Sequence, residues 1–100
     1  MMKLVRDRIP EIIEESGKTC KCSVIDEIGE FQERLFEKMQ EEMMEFFENP
    51  CLEEAADMYE VLKTITWLHR IGMEEVVDTA RHKAVERGGF YSGIVLEEIE

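Results

Sequence analysis

KMQEEMMEFFENPCLEEAADMYEVLK, residues 38–63, contains the strongest structural signals in this chain. It contains two acidic pairs at i, i+3 spacing: Glu42 with Glu45, and Glu54 with Asp57. Helical residues three apart lie on one side of the helix, so each pair projects its carboxylates together. Asn49-Pro50 predicts a helix break between the pairs, because the residue before proline avoids the helical conformation. Two helices folded back at this break would gather four carboxylates, which predicts a divalent-metal site.

Apolar periodicity on both sides of this stretch predicts an all-α fold. The predicted long helices cover residues 27–48, 51–71 and 73–87. A short helix begins near Pro10, which suits a first helical turn, and Ser16-Gly17-Lys18 ends it. Gly88-Gly89 ends the last long helix, and residues 19–25 alternate loosely as a short extended segment would. We expect one domain over residues 1–100, an antiparallel bundle of about three long helices plus the short N-terminal one.

Helical wheels at about 100° per residue place the acids differently in the two helices. Glu42 and Glu45 flank the apolar stripe of the first long helix, whereas Glu54 falls inside the stripe of the second. A carboxylate inside a core-facing stripe is costly to bury unless it is paired or bound to metal. Glu54 is therefore the residue that most strongly indicates a metal site. Trp67 lies opposite the core face and is expected to pack on a neighbouring element or subunit. The core stripe expected in the first long helix comprises Leu35, Phe36, Met39, Met43, Phe46 and Phe47.

The net charge of −12 argues against a nucleic-acid-binding surface, which needs a basic footprint. It leaves a phosphorylated small molecule open as a partner, because bound cations reverse the local field. No apolar run approaches the ~20 residues of a membrane span and no signal-peptide core is present, so we expect no membrane partner and a cytoplasmic location. Three cysteines are expected to be free thiols, and Cys20-Lys21-Cys22 lacks the further ligands that zinc needs.

Four carboxylates without an obligatory histidine or cysteine suit a hard cation, Mg²⁺ or alternatively Mn²⁺. Mg²⁺ commonly bridges protein carboxylates to substrate phosphates, which favours phosphate-anhydride or phosphate-ester chemistry. Glu41, next to the first acidic pair, is the candidate general base. The competing interpretation is a solvated acidic face, since similar pairs such as Glu11 with Glu14 occur elsewhere in this glutamate-rich chain. A di-iron bundle is disfavoured because the sequence has no Glu-x-x-His.

Two basic segments are candidates for anion binding. Lys3 and Arg6 lie in an N-terminal arm that is either solvated or in contact with an anion. Lys83 and Arg87 help to make the end of the last helix positive, which the helix dipole explains in part and a polyanionic ligand would also explain.

The acidic motifs, EEMME at residues 41–45 and EEAAD at 53–57, resemble those of the all-α nucleoside triphosphate pyrophosphohydrolase superfamily. That superfamily includes MazG proteins, dimeric dUTPases and phosphoribosyl-ATP pyrophosphohydrolases. The stretches KLVRDRIPEII at residues 3–13 and KAVERGGF at 83–90 are similar to a small phosphoribosyl-ATP-pyrophosphohydrolase-like branch. The resemblance extends from Lys3 to roughly Leu96 and therefore covers most of the chain.

The resemblance implies a helical bundle that forms a homodimer or homotetramer. It implies Mg²⁺-dependent cleavage between the α and β phosphates of a nucleotide, with Glu42, Glu45, Glu54 and Asp57 holding metal. Glu41 would act either as the base or as a residue that contacts the metal ligands without binding the metal. The resemblance also implies phosphate contacts from Lys3, Arg6, Lys83 and Arg87. The phosphoribosyl-ATP enzymes proper lack the KLVRDRIP opening, so nucleotide house-cleaning is favoured over histidine biosynthesis. The alternative is a non-catalytic helical module that binds a nucleotide or a protein partner.

Overall fold

A computed structural model describes residues 2–100 of the chain. The helices are α1 (Ile9–Glu15), α2 (Ile28–Glu48), α3 (Leu52–Leu68) and α4 (Met73–Arg87). The prediction of an all-α fold with one short and three long helices is confirmed, and no strand occurs within residues 2–100. The segment expected to be extended, residues 19–25, is irregular. The chain forms two compact units, the first ending at Ile65 and the second running from Thr66 to Glu100.

The short helix α1 begins and ends where the sequence predicts. Pro10 lies in its first turn, where the missing N–H costs no hydrogen bond. Gly17 follows the helix with φ 88°, a left-handed conformation that glycine adopts easily. The N–H of Lys18 donates to the carbonyl of Ile13 at 3.3 Å, which closes the helix end.

α2 and α3 form an antiparallel hairpin whose connection spans only residues 49–51. Asn49 has φ −144° and ψ 77°, outside the helical region, as expected for a residue before proline. Its N–H still donates to the carbonyl of Glu45 at 3.0 Å, which completes the last turn of α2. The short connection brings the end of α2 next to the start of α3, and both predicted acidic pairs lie near this end of the hairpin.

α3 ends at Leu68, three residues before the predicted end at Ile71. Arg70 adopts φ 61°, the conformation in which a helix commonly terminates. Arg70 and Ile71 donate their N–H groups to the carbonyls of Trp67 and Thr66, each at 2.9 Å. The predicted end at Ile71 was wrong because an arginine takes the left-handed position that sequence preference assigns to glycine.

The buried face of α2 is shifted from the predicted one toward the side of the helix that carries Glu42. Leu35 is 2% exposed, but Phe36 and Phe47, which were expected in the core, are 57% and 73% exposed. Glu42 is 5% exposed and lies on the buried face rather than at its edge. The apolar stripe of α2 is therefore wider than the part that α3 and the N-terminal segment cover.

The second unit contains α4 and the C-terminal segment. α4 ends at Arg87, as predicted, and Gly88 follows with φ 79° and an N–H that donates to the carbonyl of Ala84 at 2.8 Å. Val85 of α4 is exposed. Within the described part of the chain, none of the helices has the length and apolar character that a membrane span requires.

Candidate metal centre

The four acids that the sequence analysis selected come together in space. Each offers a carboxylate oxygen, and these four oxygens all lie within 4.8 Å of one another. Glu42 and Glu45 come from α2, and Glu54 and Asp57 come from α3. The i, i+3 spacing aligns each pair on its own helix, and the Asn49-Pro50 break turns the two pairs toward each other. The cluster could therefore hold a metal ion.

Burial distinguishes this cluster from a solvated acidic face. Glu42 is buried, and the other three carboxylates are half-buried. One oxygen of Glu42 and one of Glu54 are buried with no hydrogen-bond partner in the described structure. A buried carboxylate oxygen without a partner is costly, and each such oxygen in a folded protein calls for an explanation such as an ion. The sequence pattern favours Glu54 as the least solvated acid, but in the structure Glu42 is the more buried of the two.

The residues present fit a small divalent cation. In an octahedral Mg²⁺ site with oxygen bonds near 2.1 Å, the ligand oxygens are about 3.0–4.2 Å apart. The observed limit of 4.8 Å is close to that range, so small side-chain rotations would bring the four oxygens within it and leave two positions for water or substrate. All four donors are carboxylate oxygens, which are the ligands that Mg²⁺ and Mn²⁺ prefer.

The charge of the cluster also matches a divalent cation. Arg6 donates to Asp57 Oδ1 at 2.7 Å, and Lys38 Nζ lies 3.2 Å from Glu42 Oε1. These two cations neutralise two of the four carboxylates. The four acids still outnumber these two basic residues, so the cluster keeps a net negative charge that a divalent cation would reduce.

Lys38 is the residue of this site that the sequence analysis missed. Its ammonium lies 3.4 Å from Glu41 Oε2 as well as 3.2 Å from Glu42. Both contacts follow from i, i+3 and i, i+4 spacing on α2, so this spacing was a readable signal. Partial burial disfavours the charged form of Lys38, but the hydrogen bonds and charges of Glu42 and Glu41 outweigh it and raise its pKa.

The pKa of Glu42 differs from that of an ordinary glutamate. Burial raises the pKa of Glu42 above its ordinary value, and the neighbouring carboxyl of Glu45 adds to this effect. Lys38 acts in the opposite direction without reversing the shift. Without a metal, Glu42 therefore keeps its proton to a higher pH than an ordinary glutamate does.

The N-terminal arm lies beside the cluster. In addition to the Arg6–Asp57 pair, Lys3 Nζ lies 3.9 Å from Glu41 Oε1. The structure thus brings two of the four predicted phosphate-binding residues to the edge of the acidic cluster. The other two, Lys83 and Arg87, are exposed residues of α4 in the second unit. Glu41, the predicted base, is half-buried next to Glu42 in sequence and is held by two lysines.

No protein-family model matches this chain, and no curated protein or solved structure is significantly similar to it.

Proposed function

We propose that this chain is a Mg²⁺-dependent nucleoside triphosphate pyrophosphohydrolase of the all-α superfamily that its motifs resemble. It cleaves the bond between the α and β phosphates and releases a nucleoside monophosphate and pyrophosphate. One observation carries the proposal. Acids from two separate motifs meet around a carboxylate that is 5% exposed and has an unpartnered oxygen. A chance pair of acids on a solvated helix face has neither property.

The residues of the hairpin have distinct roles in this reaction. The four clustered acids hold the cation, and the bound cation supplies charge neutralisation and a water of lowered pKa. Glu41 accepts the proton of the attacking water as general base. Its two lysine contacts keep its carboxylate oriented beside the cluster.

Basic residues bind the phosphates of the substrate. Lys3 and Arg6 reach them from the N-terminal arm, which already lies beside Glu41 and Asp57. Lys83 and Arg87 are assigned the same role by the resemblance of KAVERGGF to the family pattern. The substrate is a nucleotide of the kind removed by house-cleaning enzymes, and the protein acts as a homodimer or homotetramer.

The proposal is tested by incubating the protein with Mg²⁺ and a panel of nucleoside triphosphates. Phosphorus NMR distinguishes the expected products, monophosphate and pyrophosphate, from diphosphate and inorganic phosphate. Glu54→Gln is expected to lower the rate at least about 100-fold, since even residues that only orient metal ligands cost 10–100-fold when they are replaced. Glu53→Gln is the matched control, because Glu53 is an exposed acid adjacent to Glu54.

Two results would count against the enzyme. Absence of pyrophosphate for every nucleotide, with nucleotide binding retained, would favour a non-catalytic nucleotide-binding module. Equal rates for Glu54→Gln and Glu53→Gln would show that hydrolysis does not depend on the acidic cluster.

A further inference from the structure

Lys38 is built into the acidic cluster rather than placed at its surface. Its side chain is 18% exposed, and its ammonium bridges Glu41 and Glu42 at 3.4 and 3.2 Å. Both carboxylates are on the same helix as Lys38, so the contacts need no rearrangement of the hairpin. The ammonium contacts Oε1 of Glu42, while Oε2 of the same carboxylate has no partner.

A divalent cation at this cluster would lie close to the ammonium. A cation bonded to the free oxygen of Glu42 at about 2.1 Å would be within roughly 5–6 Å of Lys38 Nζ. Two positive charges at that distance repel each other strongly in a partly buried site. Lys38 can relieve the repulsion, because its long side chain rotates easily and Glu41 offers a second carboxylate.

We propose that Lys38 is an exchangeable counter-ion of the metal centre. Without a divalent cation its ammonium neutralises Glu42 and keeps the cluster assembled. When a divalent cation binds Glu42, the ammonium leaves that carboxylate and becomes more accessible. Lys38 is therefore a positioning residue that lowers the affinity of the cluster for the bare cation. The inference rests on the proposed metal centre but not on the proposed reaction.

Lysine labelling tests the displacement directly. The wild-type protein is acetylated with an amine-reactive ester with and without Mn²⁺, and the labelling rate of each lysine is measured by mass spectrometry. We expect Mn²⁺ to raise the rate at Lys38 about threefold or more, because the ammonium is released from its ion pair. Lys18 is the internal control, since it is an exposed lysine outside the cluster.

A matched pair of variants tests the effect on affinity. Lys38→Met should tighten Mn²⁺ binding about three- to tenfold, measured by electron paramagnetic resonance of free Mn²⁺. Arg34→Met removes the same charge from α2, but Arg34 pairs with Glu37 rather than with a clustered acid. Arg34 lies eight residues before Glu42 on α2, about 12 Å along the helix axis, where salt screens its charge. The affinity for Mn²⁺ should therefore change less than about twofold.

The outcomes separate this inference from the proposed function. Wild-type protein that binds no Mn²⁺ overturns the metal centre and this inference together. Mn²⁺ binding with unchanged labelling of Lys38 overturns the exchange alone, and so does weaker binding by Lys38→Met. If Lys38→Met fails to fold, as judged by circular dichroism, the wild-type labelling decides. Lys38→Arg, which keeps the charge, should then bind Mn²⁺ within about twofold of wild type.

Discussion

At the scale of single residues, Glu42 shows how the site affects stability. Its pKa is raised in the folded protein, so the folded state holds this proton more tightly than the unfolded state. As pH rises above the ordinary glutamate value of 4.5, the unfolded state releases the proton first. The metal-free protein therefore loses stability from about pH 4.5 up to the raised pKa and stays less stable above it.

The variant Glu42→Gln removes the carboxylate whose ionisation lowers the stability of the metal-free protein above pH 4.5. We expect the metal-free variant to be more stable than wild type at pH 7, with a melting temperature higher by up to about 4 °C. The difference should shrink below pH 4.5, where wild-type Glu42 is protonated as well. Thermal denaturation followed by circular dichroism with a chelator present measures both values. Glu33→Gln, an exposed position on the same helix, should have little effect. A less stable Glu42→Gln would mean that the Lys38 ion pair outweighs burial.

A second residue-scale prediction concerns Cys20. Its thiol is in contact with Cys22 at 3.7 Å, and this hydrogen bond, together with burial, raises the pKa of Cys20. Because the thiolate is the reactive form, Cys20 should be alkylated by iodoacetamide only at higher pH than an ordinary cysteine. Cys22→Ala should move the alkylation profile of Cys20 to lower pH. Mass spectrometry between pH 7 and 10 measures this profile, with Cys51 as the reference site, and an unchanged profile would contradict the assignment.

At the level of helices, the local sequence predicted the α2–α3 hairpin correctly, whereas the face of α2 that is buried was predicted less accurately. The Asn49-Pro50 break acts on its own backbone, so it could be read from the sequence. The end of α3 could not, because Arg70 takes a conformation that sequence preference reserves for glycine. The buried face of α2 was misplaced because one apolar stripe, from Phe36 to Phe47, extends beyond the surface that its own chain covers.

Arg70 offers a test of the cap of α3. A left-handed conformation costs an L-residue roughly 1–2 kcal/mol, and glycine avoids this cost but loses part of the gain through unfolded-state entropy. Arg70→Gly should therefore stabilise the protein by about 0.5–1 kcal/mol. Urea denaturation measures the free energy of unfolding. Arg81→Gly, in the interior of α4, should instead destabilise by about 1 kcal/mol. Destabilisation by both variants would exclude strain at Arg70.

The N-terminal arm gives a second prediction at this scale. Arg6 is joined to Asp57 of α3 at 2.7 Å, whereas Arg8 is paired with its near neighbour Glu11. Arg6→Ala should free the arm from α3, at a cost of about 0.2–1 kcal/mol because the pair is largely exposed. Hydrogen exchange over residues 2–8 should accelerate in Arg6→Ala and remain near wild type in Arg8→Ala. Equal exchange in both variants would show that other contacts hold the arm.

At the scale of the whole molecule, the candidate site and the subunit surface differ in how far they could be predicted. The four acids could be predicted because their spacing and one helix break determine their convergence. The roles of Lys83 and Arg87 stay predictions, because only the resemblance assigns them and no local spacing links them to the acids.

The apolar stripe left outside on α2 is the surface we expect a second copy to cover. Phe36, Met43 and Phe47 lie on one side of the helix and are 57%, 42% and 73% exposed. Among residues 2–100 the buried apolar side chains are Leu35 and Val61, a core too small to stabilise a chain of this length alone. We therefore expect light scattering after gel filtration to give a multiple of the 11.8 kDa chain mass.

Replacing one residue of this stripe should dissociate the assembly. A carboxylate at position 36 would be buried without a partner in the interface, so Phe36→Glu should yield monomers with a lower melting temperature. Val24→Glu is the matched control, because Val24 is equally apolar and 93% exposed but lies in the segment before α2. It should keep the wild-type mass and melting temperature. A monomeric wild type, or a Phe36→Glu variant that keeps the wild-type mass, would show that this stripe is not an interface between copies. Loss of cation binding together with dissociation would show that the acidic cluster needs the second copy.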